Sequence, residues 1–215
     1  FLIDHFSGQA IISFRPGELS NPFGLPQALL ATGFRFSSTA TANNSLTHFP
    51  YQLTYDRLTD SEVDVFEFPV TIEDEELPRL GDRLPQALEL ARKLGRYGGS
   101  MVVLIHPNVL DHKLAFERGF VEGVRPYAWF GSVGEFGRWW AARNQVELDV
   151  MRDSTGLRVT LTAPSPLTGL TLEVPNGWEL ARSGSSVRGL AQQGTILTVP
   201  ELQGTHTVLL RPRAD

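Results

Sequence analysis

The chain has 215 residues, of which 41% are hydrophobic, enough for one medium-sized domain or for a larger domain followed by a small one. Its net charge is −5 at pH 7, and it lacks the basic stripe of a nucleic-acid-binding protein, so nucleic acid is not an expected partner. It contains no cysteine, which excludes disulfides, thiolate metal sites and a cysteine nucleophile. It also has no run of 18 apolar residues, so no membrane span is predicted.

The first residues of the chain, Phe-Leu-Ile-Asp-His-Phe over positions 1–6, have the pattern of a helix interior and not that of a signal peptide. We therefore expect the chain to be a fragment of a longer protein. Strand and helix signals then alternate through the first two-thirds, with short Gly and Pro punctuation, a pattern typical of βα units around a parallel sheet or barrel. Residues 10–14 are predicted as a buried strand, a helix is expected from Pro26 to its stop at Gly33, and residues 63–71 form a second predicted strand.

An amphipathic helix is predicted over residues 82–97, where leucine and alanine recur at helical spacing and Gly98-Gly99 ends the pattern. Four consecutive acidic residues, 73–76, precede it. Negative charge is favourable before a helix, so we expect this run to be solvated, with a divalent-cation role as the alternative. Further on, Ser132 and Glu135 have the spacing of a capping box that opens another helix.

The pattern changes near Gln145, where short strands separated by Gly, Pro, Asn and Ser turns predict a small all-β module. The predicted strands span residues 146–150, 157–161, 170–174, 195–199 and 207–210. We therefore divide the chain into an α/β portion, residues 1–145, and a small sandwich-like β-domain, residues 146–215.

A histidine follows the most apolar segment of the first portion. Residues 101–105, Met-Val-Val-Leu-Ile, are predicted as a strand buried on both faces, and His106 comes directly after it. Ligands of parallel α/β sheets gather at the carboxyl ends of the strands, which favours a catalytic role for His106. A purely structural histidine at a strand end is the alternative.

An arginine follows the first predicted strand in the same way, in Phe14-Arg15-Pro16-Gly17. If the strands are parallel, Arg15 and His106 are presented at the same sheet edge. An arginine can hold a catalytic carboxylate ionised and oriented, and a histidine can protonate a leaving group. A surface ion pair is the alternative role for Arg15.

Segments in this order resemble the later half of the polysaccharide deacetylases of the NodB-homology, carbohydrate esterase family 4 type. Residues 14–17 resemble the family's arginine-bearing third motif, and Gly-Phe-Arg-Phe-Ser-Ser-Thr at 33–39 resembles the strand that follows this motif and a helix in the family. Residues 65–71, Val-Phe-Glu-Phe-Pro-Val-Thr, resemble a later strand with an acidic residue before a proline. Residues 103–107, Val-Leu-Ile-His-Pro, resemble the fifth motif. The resemblance covers about residues 1–145 and implies a partial (β/α) barrel of the deacetylase type.

The resemblance implies metal-dependent hydrolysis of N- or O-acetyl groups on an acetylated polysaccharide. By the same resemblance, His106 is the general acid, Arg15 orients an aspartate base, and Leu104 lines the pocket for the acetyl methyl group. Many family members read Arg-x-Pro-aromatic, and the amide after the proline helps to hold the oxyanion; here Gly17 takes that place. The family also implies a secreted, periplasmic or cell-envelope protein.

The chain departs from the family in its metal site. The first motif, with the base and a metal-binding aspartate, and the second, with two metal-binding histidines, are not found. Residues 106–112 contain two histidines and an aspartate, but their spacing provides no helical ligand pair, so no metal ligand is assigned in this chain. We expect the N-terminal half of the same barrel to supply a divalent metal, zinc by resemblance, together with the base.

Two rival interpretations remain open. The first is a non-catalytic glycan-binding or structural cell-envelope module with a degenerate deacetylase fold. The second is a glycoside hydrolase, which needs a pair of catalytic carboxylates at strand ends. Glu67 is a poor member of such a pair because it lies inside a predicted strand.

Tryptophans are the candidates for stacking on sugar rings. Trp129 and Trp139 are predicted to be the more exposed and are assigned as substrate-binding residues, whereas the helical spacing places Trp140 in the core. Trp178 follows a predicted turn in the β-domain and fits either role. Packing against apolar neighbours is the alternative for each of them.

Overall fold

The computed structural model describes residues 10–57, 61–108, 110–154, 156–181 and 183–213, so the helix expected over residues 1–6 lies outside it. The chain divides into two compact units, Phe1–Gly137 and Arg138–Asp215. The sequence-based boundary at 145 stays a prediction. No helix in the part of the chain that the structure describes is long and apolar enough to cross a membrane.

Short parallel strands form the framework of the first unit. One sheet has the order β1-β2-β4-β3, in which β1, β2 and β4 are parallel and β3 is antiparallel to β4. A second sheet pairs β5 with β6, also in parallel. The strands are β1, Ser13–Phe14; β2, Phe36–Ser37; β3, Tyr51–Thr54; β4, Glu62–Glu67; β5, Val70–Glu73; and β6, Val102–Leu104. The predicted mixed α/β character is confirmed.

Most of the helices follow strands, as expected for βα units, whereas the last one follows another helix directly. They are α1, Leu25–Ala31; α2, Ala42–Ser45; α3, Leu84–Tyr97; α4, Asp111–Val124; and α5, Val133–Asn144, with single 3-10 turns at Gly17–Leu19, Tyr55–Arg57 and Leu80–Arg83. The predicted stops of α1 and α3 are confirmed, since Gly33 and Gly98 adopt φ angles of 85° and 72°. The capping box of α5 is also confirmed, because the Glu135 carboxylate accepts from Ser132 N at 2.9 Å while Glu135 N donates to Ser132 Oγ at 3.2 Å.

The predicted strand over residues 63–71 is in fact two strands, β4 and β5, separated by Phe68 and Pro69. Proline has no N–H to donate to a ladder, and at this break the chain passes from one sheet to the other. The strand before His106 is also shorter than predicted. Its residues are half-buried instead of buried on both faces, because within the described residues β6 has a pairing strand on one side only.

Helix α4 was not predicted, although its buried residues Phe116, Phe120 and Val124 recur every fourth position. Glycines interrupt the pattern at 119 and 123. They have a packing reason, because a Cβ at either position would lie 2.6 Å from a leucine methyl group of α3. The two helices therefore approach closely and enclose a core that joins them to β5 and β6. That core comprises Ile72, Leu80, Ala87, Ala91, Phe116, Phe120 and Val124.

Two helical glycines provide a matched test of this packing. A Cβ on Gly137 of α5 would lie 2.4 Å from the rigid ring of Phe36, whereas a Cβ on Gly95 of α3 would meet nothing closer than 3.7 Å. We expect Gly137→Ala to lower the free energy of unfolding by about 1–3 kcal/mol through overpacking. Gly95→Ala should raise it by up to about 1 kcal/mol through helix propensity. Urea denaturation measures both, and equal effects of the two substitutions would contradict the packing described here.

After the end of α5 the second unit contains strands and no further helix among the described residues, as predicted for residues 146–215, but two of these strands are long. One five-stranded sheet has the order β10-β11-β8-β7, with β9 also paired to β11. The strands are β7, Glu147–Arg152; β8, Leu157–Glu173; β9, Trp178–Leu180; β10, Ala191–Gln193; and β11, Ile196–Pro212. Each of the long strands β8 and β11 contains two of the short strands predicted from the sequence.

Proline explains why β8 was predicted as two strands. Pro164 and Pro166 suggested a turn, yet the strand continues through them. The pairing register shifts there, because Leu167 faces Leu202 and Ala163 faces Gly204, so the residues between lie opposite a single position of β11. Such a bulge accommodates residues that cannot donate to the ladder. Side chains from both halves of β8 and β11 then fill one core, including Leu161, Ala163, Leu167, Leu170, Leu197, Val199, Leu202 and Val208.

Candidate active site

The ends of β5 and β6 bring a histidine and a carboxylate together. Glu73 and Leu104, the last residues of these paired strands, are partners in the register. Just beyond them, His106 Nδ1 lies 2.9 Å from Asp74 Oδ1, and His106 N donates to Asp74 Oδ2 at 3.0 Å. The imidazole is therefore held at both its ring and its backbone by one carboxylate, at the carboxyl ends of neighbouring parallel strands.

A buried lysine completes this arrangement. Lys113, from the first turn of α4, forms an ion pair with Asp74 Oδ2. Its ammonium also donates to the carbonyl oxygen of His106 at 3.1 Å and to Asn108 Oδ1 at 2.8 Å. The side chains of Lys113 and Asp74 are both buried, whereas that of His106 is 46% exposed. The result is a polar cluster, Asp74, His106, Asn108 and Lys113, in which the carboxylate and the ammonium are buried and the imidazole is accessible.

Charge in this cluster determines which nitrogen of His106 is available. Burial alone would raise the pKa of Asp74, but hydrogen bonds from Lys113 and from the ring and backbone of His106 hold this pKa well below its usual range. Asp74 is therefore a carboxylate at neutral pH and can only accept hydrogen bonds, so the Nδ1 atom of His106 carries the proton that it shares with Asp74. The Nε2 atom is left to exchange a proton with a ligand. The Glu75 carboxylate, 3.8 Å from Nδ1, adds a second, exposed negative charge.

Asp74 was missed as a site residue. The interpretation of the acidic run 73–76 as solvated is wrong for Asp74, which is buried, and holds for Glu75 and Glu76, which are exposed. The signal that could have identified it is its place as the first residue after β5. The sequence pattern predicts that the preceding strand ends at residue 71, two residues too early, so it does not place Asp74 at a strand end opposite His106.

Arg15 lies at the carboxyl end of β1, as predicted, and the end of β2 orients it. The expectation that Arg15 and His106 share one sheet edge is wrong for the described strands, because β1 and β6 belong to different sheets. Its Nε donates to Ser38 O at 3.0 Å and its Nη2 to Ser38 Oγ at 2.7 Å. Burial lowers the pKa of Arg15, and the nearby Glu67 opposes that change. The guanidinium stays charged at physiological pH. Its fixed fork leaves one nitrogen, Nη1, without a hydrogen-bond partner among the described residues, so the arrangement can hold a further carboxylate.

Glu67, at the end of β4, is only 1% exposed. Its Oε1 accepts from the backbone nitrogens of Thr39 and Ala40 at 2.6 and 2.8 Å. Burial raises the pKa of Glu67, against the opposing effects of hydrogen bonds from Ser37, Ala40 and Thr39 and of the Arg15 charge. This carboxyl group holds the segment after β2 in place, so its contacts serve the backbone and not an exposed reaction centre.

Two substitutions of Glu67 should distinguish the contribution of its hydrogen bonds to stability from the contribution of its charge. Glu67→Gln keeps an oxygen at the position that accepts both amides, whereas Glu67→Ala leaves two buried N–H groups unpaired, at a cost of about 1–3 kcal/mol each. Since the folded-state pKa is raised, the Glu67 contribution to stability is present below about pH 4.3 and is lost as the pH rises through the folded pKa. We therefore expect the glutamine variant to gain stability relative to wild type above that pH in urea denaturation. A constant difference from pH 4 to 8 would contradict this.

The other predicted site residues of the first unit lie at or near strand ends. Leu104 is the last residue of β6 and is half-buried. Gly17 is exposed and begins the turn after Arg15 and Pro16, with open space where a Cβ would be. Their roles at a methyl pocket and an oxyanion stay predictions.

Trp129 is an exposed tryptophan whose ring packs against Gly131 and Phe136. It is 63% exposed, and its ring lies across Gly131, where a Cβ would be only 1.9 Å from the indole. Its centroid is 6.2 Å from that of Phe136, which is 5.8 Å from that of Phe68. The carbonyl of Phe68 accepts a hydrogen bond from Ser38, the residue that binds Arg15. A chain of direct contacts therefore joins Trp129 to the Arg15 arrangement.

The remaining tryptophans belong to the second unit. Trp139 packs against the core of that unit, and its Nε1 donates to Thr168 O at 2.7 Å. Its role in substrate binding stays a prediction. Trp140 is 7% exposed, which confirms its burial. Trp178 is half-buried, with the guanidinium of Arg152 5.7 Å from its ring.

The residues present do not fit the metal site that the family resemblance implies. Across residues 10–213, leaving out the undescribed positions, no group of three or more His, Asp or Glu side chains is placed to hold a metal ion. In the polar cluster, the ammonium of Lys113 already occupies the cation position beside Asp74.

Comparison with known proteins provides evidence on the fold. No family model matches the chain, and no curated protein matches it significantly. Among solved structures, it resembles the crystal structure of a Mycobacterium smegmatis protein provisionally named a polysaccharide deacetylase, with a TM-score of 0.53 and 16% identity. The two proteins share a fold. The match covers 71% of this chain and 57% of that one, so this chain spans a little more than half of its structural neighbour. The likeness supports the deacetylase-type α/β fold expected from the sequence.

Proposed function

We propose that the chain is part of a polysaccharide deacetylase, a hydrolase that removes N- or O-acetyl groups from a glycan. The observation that carries the proposal is the Asp74–His106 pair at the ends of β5 and β6. A histidine held at Nδ1 by a buried carboxylate and accessible at Nε2 is suited to general acid catalysis. The fold shared with a protein of that provisional name supports the choice of substrate class.

In this proposal the first unit is a partial (β/α) barrel that the N-terminal half of the same barrel completes. Two observations support it. Within the described residues, β1 and β6 each pair on one side only, so both can accept another strand. The residues that would act on substrate follow the ends of these strands. The missing half would supply the catalytic base and the ligands of a divalent metal, zinc in our proposal. The second unit is then a sandwich-like β-domain, and an acetylated polysaccharide substrate suits a secreted, periplasmic or cell-envelope protein.

His106 acts as the proton donor in the proposed reaction. Water adds to the acetyl carbonyl as the base of the N-terminal half takes its proton, and the bond between the carbonyl carbon and the nitrogen or oxygen of the sugar then breaks. His106 donates its Nε2 proton to the departing nitrogen or oxygen, while Asp74 stabilises the charged imidazole before the transfer. Arg15, oriented by Ser38, holds the carboxylate of the base through Nη1. Leu104 contacts the acetyl methyl group and the Gly17 amide faces the oxyanion.

Acetate release tests the proposal. The full-length protein that contains this chain is incubated with N-acetylated and O-acetylated oligosaccharides, and free acetate is measured. Release from one class and not the other identifies the bond. No release from either class, with a folded protein and added zinc, contradicts a deacetylase function.

A second candidate is the non-catalytic glycan-binding module, which requires only the exposed Trp129 ring supported by Gly131 and Phe136 and no proton donor. A rigid aromatic face binds the apolar face of a sugar ring at low entropic cost. Both candidate functions assign this contact to Trp129.

Substitution of Trp129 tests the contact with sugar. We expect Trp129→Ala to weaken binding of an acetylated oligosaccharide roughly tenfold, because burial of an aromatic face contributes about 1–2 kcal/mol. Titration calorimetry measures the Kd. Tyr55→Ala, which removes another exposed ring of the same unit, is the control and should leave the Kd unchanged. Binding without acetate release favours the binding module, and equal Kd values for wild type and Trp129→Ala contradict the stacking role.

A further inference from the structure

Lysine is rare in this chain, and one of its two lysines is buried. Lys93 is exposed on α3, where it pairs with Glu89 at 2.9 Å one turn away. Lys113 is enclosed at the start of α4. Every other basic position is arginine, so the residue type at 113 requires a specific explanation.

The explanation lies in the number and geometry of its partners. An ammonium group has three N–H donors arranged about one nitrogen. Three acceptors converge on Lys113, namely a carboxylate oxygen of Asp74, the carbonyl of His106 and the amide oxygen of Asn108. All three donors are therefore used, and the buried charge is neutralised by Asp74. The larger planar fork of an arginine does not match three acceptors around one point.

These contacts connect Lys113 to His106 in two ways. First, the ammonium pairs with the Asp74 carboxylate, which also accepts the hydrogen bond from His106 Nδ1. Second, through the carbonyl of His106 and the side chain of Asn108, it holds the backbone of the segment that follows β6. The charged groups that face the imidazole are Asp74 and Glu75 after β5 and Lys113 on α4.

We propose that Lys113 is a positioning residue, which fixes the Asp74 carboxylate and the backbone that follows β6, so that the Nδ1–H of His106 stays on Asp74 and the Nε2 atom, which donates the proton, is presented to the substrate. The inference rests on the proposed function, in which His106 is the proton donor. It adds a third member to the Asp74–His106 pair.

The test compares the full-length protein that contains this chain with two matched variants, Lys113→Met and Lys93→Met. Carbon-13 spectra report the titration of Asp74, and nitrogen-15 spectra report which ring nitrogen of His106 is protonated and how fast its proton exchanges with water. We expect Lys113→Met to raise the pKa of Asp74 by about 1–3, the usual effect of removing an opposite charge. Exchange of the Nδ1 proton should become at least about tenfold faster as a charge-assisted hydrogen bond is weakened. Lys93→Met should change neither.

The proposal is overturned if Lys113→Met leaves the Asp74 titration and the His106 spectrum unchanged. Removing one partner of a buried pair can prevent folding. In that case Asn108→Ala, which removes one exposed acceptor of Lys113, decides the question. Faster exchange of the Nδ1 proton supports the proposal, and unchanged exchange overturns it. These spectra do not depend on turnover. A lack of acetate release by the full-length protein would therefore contradict the proposed function, whereas the spectra would still show whether Lys113 positions His106.

Discussion

Replacement of His106 by asparagine is expected to lower the deacetylation rate of the full-length protein by about 10²- to 10⁴-fold, the usual contribution of a general acid. Asparagine cannot deliver a proton to a departing amine or alkoxide. It can, however, still occupy a site of this size beside Asp74, so folding should be retained. The loss should appear in kcat, because proton donation occurs in the transition state and not in substrate binding.

Two controls make this result specific. The same substitution at His206, a histidine of the second unit that lies near Gln203 and Ser186, should leave acetate release unchanged. Metal content, measured on the same samples, should be equal in wild type and His106→Asn. Normal turnover by His106→Asn would refute the role of His106 as the acid, and loss of metal would assign the histidine a ligand role instead.

Asp74→Asn is expected to lower the free energy of unfolding by about 3–5 kcal/mol at pH 7, because Lys113 is left as a buried charge without its counterion. The effect should depend on pH. The folded-state pKa of Asp74 lies below its unfolded value, so its stabilising contribution is present above about pH 3.9 and is lost as the pH falls towards the folded pKa. The difference between wild type and variant should therefore shrink in acid.

Urea denaturation at pH 7 and at pH 3 measures this difference. The matched control is Asp64→Asn, because Asp64 pairs with Arg35 at 2.8 Å on the surface. Exposed pairs contribute at most about 1 kcal/mol, so this variant should remain close to wild type. Equal effects of the two substitutions, or a loss at Asp74 that does not change with pH, would contradict the buried ion pair.

Local signals in the sequence predicted local structure well. The capping box before α5 and the glycine stops of α1 and α3 depend on residues within one turn of each other, and all three are confirmed. Failures occurred where distant partners decide the outcome. Glycines within α4 are tolerated because α3 packs against them, and prolines within β8 are tolerated because β11 shifts its register opposite them. Neither partner can be identified from the segment itself.

The candidate site divides in the same way. Arg15 and His106 could be proposed from the sequence because each follows an apolar strand directly. Asp74 and Lys113 could not, since one is part of an acidic run and the other belongs to a helix that the pattern does not predict. Asp74 and Lys113 contribute to the site because the ends of β5 and β6 and the start of α4 come together in the fold, and the spacing of residues in the sequence does not reveal that contact.

The break between β4 and β5 has a consequence for how the two halves of the candidate site are coupled. One short segment carries Glu67 at its beginning and Asp74 at its end. Glu67 holds the segment next to the Arg15 arrangement, and Asp74 holds His106. Phe68 and Val70 bind the backbone of Ser37 and Ala40 between them. Hydrogen bonds therefore hold this segment at both ends and in between, so its length sets the separation between the anion-holding and proton-donating groups.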